Sequence, residues 1–399
     1  MSKDLENKSS WGFIGNDHAV DVNRKEERLI ESNAKLLHIL LERVLAYRAQ
    51  CGTQNDIGDT DANSYHGSSI ISEVTEALPL APFESTKAYV GQVDTLLSET
   101  VKEKLQDYVA NISFLYHDNP FHNFEHASHV AQSANKLMQQ IVTANYGLVT
   151  DEEQHKYSLG LSSDPLAQFA VVFAALIHDC DHTGVPNATL VEAKDDVALK
   201  YDNRSPAEQN SVEVAWELLM ECRYQELRRC IFPNPNELHR FRLLIVNCVI
   251  ATDIADAGLR DERKKRWSDV FSPEHASLLN GEGMHRKATI VIDHIIQASD
   301  IAHTMQHWSV YIKWNEKLFD ELYQSYKAGS SDKDPSESWF QGEIGFFDFY
   351  IIPLAMKLKE CGVFGMTSDE FLKYALENRK RWENEGNEIV EGFLKRVQR

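Results

Sequence analysis

Two short stretches of this chain put ionisable side chains where a helical core should be apolar. In His122-Asn-Phe-Glu-His126 the imidazoles are four residues apart, so a helix through them shows both on one face. In the second stretch nine apolar residues, Phe169–Ile177, run directly into His178-Asp179-Cys-Asp181-His182, with His182 one turn beyond His178. A further acid, Asp300, follows the stretch Ile290–Ile296 at the end of another helical pattern. Burying such groups together costs several kcal/mol unless they are paired or hold a metal. Imidazole nitrogens with carboxylate oxygens suit a transition ion, and the carboxylates can share a harder ion such as magnesium. Two metals about 3.5–4 Å apart acidify a shared water and clamp a phosphoryl group. A histidine beside such ligands, rather than among them, suits a general acid for a leaving oxygen. The chemistry such an arrangement would suit is hydrolysis of a phosphate ester.

The elements that must carry these groups are helices. Of the 399 residues, 43% are hydrophobic and 26% charged, a composition that supports a packed core. Helical periodicity dominates from about 70 to 397, in segments at 97–117, 123–145, 164–180, 207–229, 236–255, 286–307, 308–327, 345–360 and 368–396. Strand-like alternation is scarce, and no repeat is seen. The fold class is therefore all-α, a compact multi-helix bundle. Residues 1–21 read as a disordered N-terminus and 51–69, polar and rich in Gly, Asp and Ser, as a linker. Residues 22–50 read as an amphipathic helix whose leucine stripe either packs on the 70–397 domain or pairs with a second chain as a coiled coil.

The formal net charge of -20, from 61 acidic and 41 basic side chains, argues against a nucleic-acid polymer as partner. Six scattered cysteines without a CxxC pair read as thiols in a reducing compartment. No apolar run approaches the roughly 20 residues of a membrane span. The expectation is a cytoplasmic protein, or the cytosolic part of a larger signalling protein. The basic run Arg260–Arg266 alternates with acids and reads as a solvated face, and Ser330–Glu337 as an exposed loop.

The order His126, His178-Asp179, Asp300 resembles the HD superfamily of metal-dependent phosphohydrolases. The finer pattern closely resembles the catalytic domain of class I 3′,5′-cyclic nucleotide phosphodiesterases over about residues 85–395: His122-Asn123-x₂-His126-x₃-Val130, His178-Asp179-x-Asp181-His182-x-Gly184, then Glu208-Gln-Asn, Thr252-Asp253, Asp300, Trp314 and Gly345-Phe346-Phe347-Asp348. The resemblance implies that His126, His178, Asp179 and Asp300 hold a tightly bound metal, usually zinc, and that Asp179 also reaches a second, usually magnesium. It implies His122 as the acid that protonates the O3′ leaving group and His182 and Glu208 as residues that order the surrounding waters. Phe346 and Leu318 would clamp the purine ring, with Trp314 nearby. The chain departs from the pattern at Glu343, where the family has a purine-reading glutamine, at His303 near the purine pocket, at His129 and at Thr183.

The resemblance implies hydrolysis of cyclic AMP, cyclic GMP or both to 5′-monophosphates, ending a cyclic nucleotide signal. The rival expectations are an HD-type phosphohydrolase of another ester and a catalytically weak cyclic-nucleotide sensor.

Overall fold

The computed structural model describes residues 15–51, 69–83, 97–142, 150–272, 281–365 and 369–398. Most of the expected linker, and residues 1–14, lie outside these. The α-helices run in the order α1 (Gly15–Cys51), α2 (Glu99–Phe114), α3 (Phe124–Val142), α4 (Asp151–Tyr157), α5 (Pro165–Ile177), α6 (Asn187–Ala193), α7 (Asp196–Lys200) and α8 (Pro206–Met220). They continue as α9 (Gln225–Ile231), α10 (Pro235–Ile250), α11 (Ala257–Phe271), α12 (Gly281–Asp300), α13 (Trp308–Lys327), α14 (Trp339–Phe346), α15 (Ile352–Glu360) and α16 (Glu370–Val397). Among the described residues there is no strand, so the all-α expectation stands. Nor is any of these helices long and apolar enough to cross a membrane.

The core is organised around α5. Its first turn is set by Asp164, whose side chain accepts from the Ala167 N–H, and by Pro165, whose missing N–H costs nothing there. Every residue from Leu166 to Ile177 is buried. A helix buried on all sides must be surrounded, and α3, α10, α1, α12 and α8 pack around it.

The leucine stripe of α1 is spent inside this bundle. Leu37, Leu40, Leu41 and Val44 are buried, and α1 packs on α5, α2 and α3. Polar ties fix its register: Asn33 Nδ2 donates to Ser128 Oγ at 2.7 Å, and the Arg48 guanidinium donates to the Cys230 and Ile231 carbonyls and pairs with Glu237. Within the chain, much of the stripe packs on the domain. Residues 15–21, expected to be disordered, form the first turns of this helix.

Two expected segments are divided differently. The 207–229 pattern is two helices, because the chain becomes extended at Glu221 (φ -56°, ψ 145°) between α8 and a short turn before α9. The 345–360 pattern is α14, a π-helical turn at Phe347–Ile351, and α15. The basic run is the helix α11, and Arg263 donates to the Ile250 and Asp253 carbonyls that end α10.

Removing side-chain volume from α1 tests whether it belongs to the cooperative unit. Leu41→Ala, at a fully buried position, is expected to destabilise the domain by about 2–5 kcal/mol in chemical denaturation. A loss well below about 1 kcal/mol would show that α1 unfolds separately.

Candidate metal centre and adjoining cleft

The site forms where α5 runs out of apolar sequence. Cys180 N–H bonds back to the Ile177 carbonyl, and Asp181 adopts a left-handed conformation (φ 62°) with its N–H on the Leu115 carbonyl at 2.8 Å. That conformation is unfavourable for a residue with a Cβ, and the Asp181 side chain compensates locally. Its carboxylate accepts from Asn210 Nδ2 at 2.9 Å and meets His117 Nε2 at 2.8 Å. The tight turn brings His178, Asp179 and His182 into one cleft. Gly184, at φ +76°, then carries the chain past Asn119 and Glu321, whose side chains would stand 3.2 and 3.3 Å from a Cβ there.

His126 stands in the first turn of α3, and Asp300 closes α12. Their donor atoms converge with those of α5. His126 Nε2 lies 3.0 Å from Asp300 Oδ1 and 3.6 Å from Asp179 Oδ2, and His178 Nε2 lies 3.0 Å from Asp179 Oδ2 and 3.4 Å from Asp300 Oδ1. Ligands about 2.1 Å from one centre stand about 3.0–3.4 Å apart, so these spacings fit a common ion. His178 Nε2 and Asp179 Oδ2 are buried without a hydrogen-bond partner despite their short separation. His178 Nδ1 faces the Ala175 carbonyl at 2.9 Å, which assigns the proton to Nδ1 and leaves the Nε2 lone pair for a ligand role.

Charge balance supports the same reading. Burial opposes ionisation of Asp179 and Asp300, yet the adjoining histidines hold both below the ordinary carboxylate range. Burial likewise opposes the His178 imidazolium, which the two carboxylates raise well above its usual value. Two buried carboxylates thus demand positive charge beside them, and a divalent cation meets that demand without protons.

His122 does not sit where the helix-face argument put it. The Asn123 side chain accepts from the His126 N–H, so α3 starts after His122, and the imidazole ring centroids of His122 and His126 are 6.0 Å apart. His122 is held instead by Glu321 of α13. The Nδ1 atom makes a very short contact with Glu321 Oε1, while Glu321 Oε2 accepts the N–H groups of Phe121 and His122, both at 2.9 Å. Burial works against a charged His122, but Glu321, with Asp179 and Asp300 behind it, raises it to about 9. His182 stacks on it at 4.0 Å and is pushed down to about 4 by burial and by the His122 charge. Its Nδ1 accepts from the Gly184 N–H at 3.0 Å. Asn119 Nδ2 ties the two strands of chain together by donating to the His122 and His182 carbonyls. His122, His182 and Glu321 also have donor atoms within 4.8 Å of one another. Glu321 is nevertheless committed to two backbone N–H groups and the imidazole, which is the arrangement of a charged acid and its anchor.

Glu208 lies on the far side of Asp179. Burial and the nearby Asp253 raise it to about 8, against a 2.8 Å bond from Asn187 Nδ2. Ser205 Oγ donates to Asp253 at 2.7 Å.

The expected base-binding residues divide into two groups. Trp314 lies against the histidines, 5.6 Å from His126 and 5.4 Å from His129 between ring centroids. His303 joins that group, with Phe121 at 5.7 Å and Trp314 at 6.0 Å as ring neighbours. Burial lowers it to about 3, so it is neutral. Glu343 and Phe346 share one face of α14 and Leu318 is on α13, the last two half-buried. Glu343 is bonded to Tyr311 of α13, whose hydroxyl donates to Oε2 at 2.7 Å.

Sequence reasoning missed Glu321, Asn119 and Tyr311. The one signal available was positional: Tyr311, Trp314, Leu318 and Glu321 recur at helical spacing, so an acid ends an otherwise aromatic and apolar stripe.

Comparison with known proteins gives one family. The model of the family described as 3′5′-cyclic nucleotide phosphodiesterase matches residues 121–364. The dual specificity calcium/calmodulin-dependent 3′,5′-cyclic nucleotide phosphodiesterase 1C of Mus musculus is 24% identical over 250 residues, 61% of this chain and 31% of that one. A probable 3′,5′-cyclic phosphodiesterase of Caenorhabditis elegans, pde-1, is 26% identical over 295 residues, 71% of this chain and 39% of that one. The chain thus spans about a third of the length of the curated relatives it matches. The crystal structure of the phosphodiesterase domain of the RhoPDE fusion protein from the choanoflagellate Salpingoeca rosetta superposes with a TM-score of 0.58 at 22% identity, covering 75% of this chain and 86% of that one. That likeness is one of fold.

The Glu321 anchor yields a direct test. In Glu321→Gln, with the carboxylate charge gone, the His122 ring is expected to titrate near or below about 6.5 by NMR, down from about 9. An unmoved titration would remove Glu321 as the cause.

Proposed function

We propose, for a chain that belongs to the 3′,5′-cyclic nucleotide phosphodiesterase family, that it hydrolyses cyclic AMP, cyclic GMP or both to the 5′-monophosphates. The observation that carries this reading is the juxtaposition of a carboxylate-anchored His122 with the convergent His126, His178, Asp179 and Asp300 donors.

Those four residues would hold one divalent ion. Their two nitrogens and two oxygens favour a transition ion such as zinc. Asp179, with Glu208 and Asp253 beyond it, would serve a second, harder ion such as magnesium. When bound, such ions supply positive charge against the phosphate oxygens and acidify water in the cleft.

The chain's own residues account for the leaving group. With Nδ1–H committed to Glu321, a protonated His122 presents Nε2–H to the cleft, where it is placed to protonate O3′ as the P–O3′ bond breaks. His182, neutral and stacked on His122, adds no competing charge. Glu321 holds the imidazolium both charged and oriented. Phe346 and Leu318 would sandwich the base, and Trp314 and His303 would wall the cleft beside His126. A cytoplasmic setting fits the six cysteines, none of them in a disulfide.

Purified protein incubated with either cyclic nucleotide and Mg²⁺ or Mn²⁺ should release the 5′-monophosphate. No turnover of either, with metal content confirmed, would refute the reading. His122→Ala is expected to lower kcat by about 10²–10⁴ while metal content is kept. Asp300→Ala is expected to lose bound metal, by elemental analysis, together with activity. Because His122 must be protonated to act, activity should fall as pH rises through about 9. In Glu321→Gln that alkaline limb should move to lower pH, while a loss of amplitude without a shift would mark Glu321 as merely structural.

A further inference from the structure

Glu125 precedes His126 in the first turn of α3, and its carboxylate is where three helices are tied together. Its Oε2 accepts from Lys317 Nζ of α13 at 2.8 Å and stands the same distance from Lys25 Nζ of α1. Lys313 Nζ of α13 lies 3.9 Å from Oε1. Lys25 and Lys313 are more than half exposed, but the side chains of Glu125 and Lys317 are each only 23% exposed. A pair in solvent is worth little, because water screens it and two long side chains lose freedom. The Glu125–Lys317 bond is screened less, and the Lys317 ammonium is held from a second side, 4.7 Å over the ring of Trp314.

Lys317 and Glu321 are four residues apart, so they share one side of α13, and both reach the start of α3. Glu321 holds the His122 ring and the Phe121 and His122 N–H groups, and one turn earlier Lys317 holds Glu125. The two ties have opposite polarity. A slide of α13 by one turn would set Lys317 against His122, or Glu321 against Glu125, and bring like charges together. The pair of ties therefore specifies one register. Elsewhere α13 packs chiefly on α16 and on the turns at 302–305 and 335–337 rather than on α3. With Glu321 alone the helix could pivot about a single point. A second tie one turn away removes that freedom, and it keeps Trp314 against His126, with ring centroids 5.6 Å apart.

We propose that Glu125, acting through Lys317, is a positioning residue for the acid step: it fixes α13 against α3 and so sets where His122 Nε2–H meets the leaving oxygen. Lys25 shares the same carboxylate oxygen, so α1, which precedes the residues 121–364 matched to the family, takes part in holding the site. This rests on the hydrolase reading above.

The test compares two leaving groups. A misplacement of about 1 Å can cost on the order of 10²-fold, so Glu125→Gln and Lys317→Met are each expected to lower kcat for a cyclic nucleotide about tenfold or more, with metal content kept. Because both remove one contact, the double variant should lose no more than the worse single variant. Lys317→Arg, which keeps the charge, should keep most of the wild-type rate. Bis(4-nitrophenyl) phosphate releases a stable phenolate that needs no proton, so its turnover should stay within about twofold of wild type in every variant. Unchanged kcat in both single variants, additive losses in the double, or equal losses on the two substrates would overturn the inference while leaving hydrolysis intact. If wild type turns over neither nucleotide, the hydrolase reading fails instead. In that case, or if the nitrophenyl ester is not a substrate, nuclear Overhauser effects between the Trp314 and His126 rings decide the inference. A changed pattern in Glu125→Gln supports it and an unchanged one overturns it.

Discussion

Two carboxylates and two imidazoles meet where the buried helix α5 ends. That constraint governs most of the molecule. The side chains of Asp179 and Asp300 are 13% and 21% exposed, and each faces both His126 and His178. Like charges at such separations repel strongly unless cations are interleaved with them. These four side chains must therefore be held by elements that cannot relax apart. The fold meets this requirement by deriving them from three helices, α3, α5 and α12, packed directly on one another, with α1 and α10 closing the remaining sides of α5.

A second frame sits across the first. Along one face of α13, Tyr311, Trp314, Leu318 and Glu321 follow one another over ten residues, or about 15 Å of helix. The first holds Glu343, the second lies on His126, and the last holds His122. One rigid helix thus sets the distance between the carboxyl of α14 and the imidazole beside the convergent donors. Its partner α16 approaches closely enough that a Cβ on Gly386 would lie 2.8 Å from Phe340, so the seat of α14 depends on that glycine.

The four convergent donors are legible in the sequence because their types are improbable in their places. A His-Asp pair directly after nine apolar residues is costly to bury unless something of opposite charge meets it, and Asp300 ends a helix of the same kind. The all-α architecture is legible from period alone. What period cannot supply is partners far apart in the chain. Glu321 is 199 residues from His122 and Tyr311 is 32 from Glu343, and neither separation leaves a periodic trace. Local capping is equally hidden: Asn123 caps α3 just after His122, so a four-residue spacing that looks like one helix face straddles a helix start. The break inside 345–360 is invisible for a related reason, since a π turn keeps helical hydrophobicity while changing its phase.

That π turn, Phe347–Ile351, has a consequence for how such a cleft can change over generations. A π turn is an α-helix carrying one surplus residue. Excision of a single residue there would restore an uninterrupted helix while leaving α14 near its present bearing, because five residues of the wider π turn sweep about the same rotation as four of an α-helix. Glu343 and Phe346 would keep their direction, as would His126, His178, Asp179, Asp300 and His122, all on other segments. The joint can therefore gain or lose one residue without re-aiming the side chains of α14.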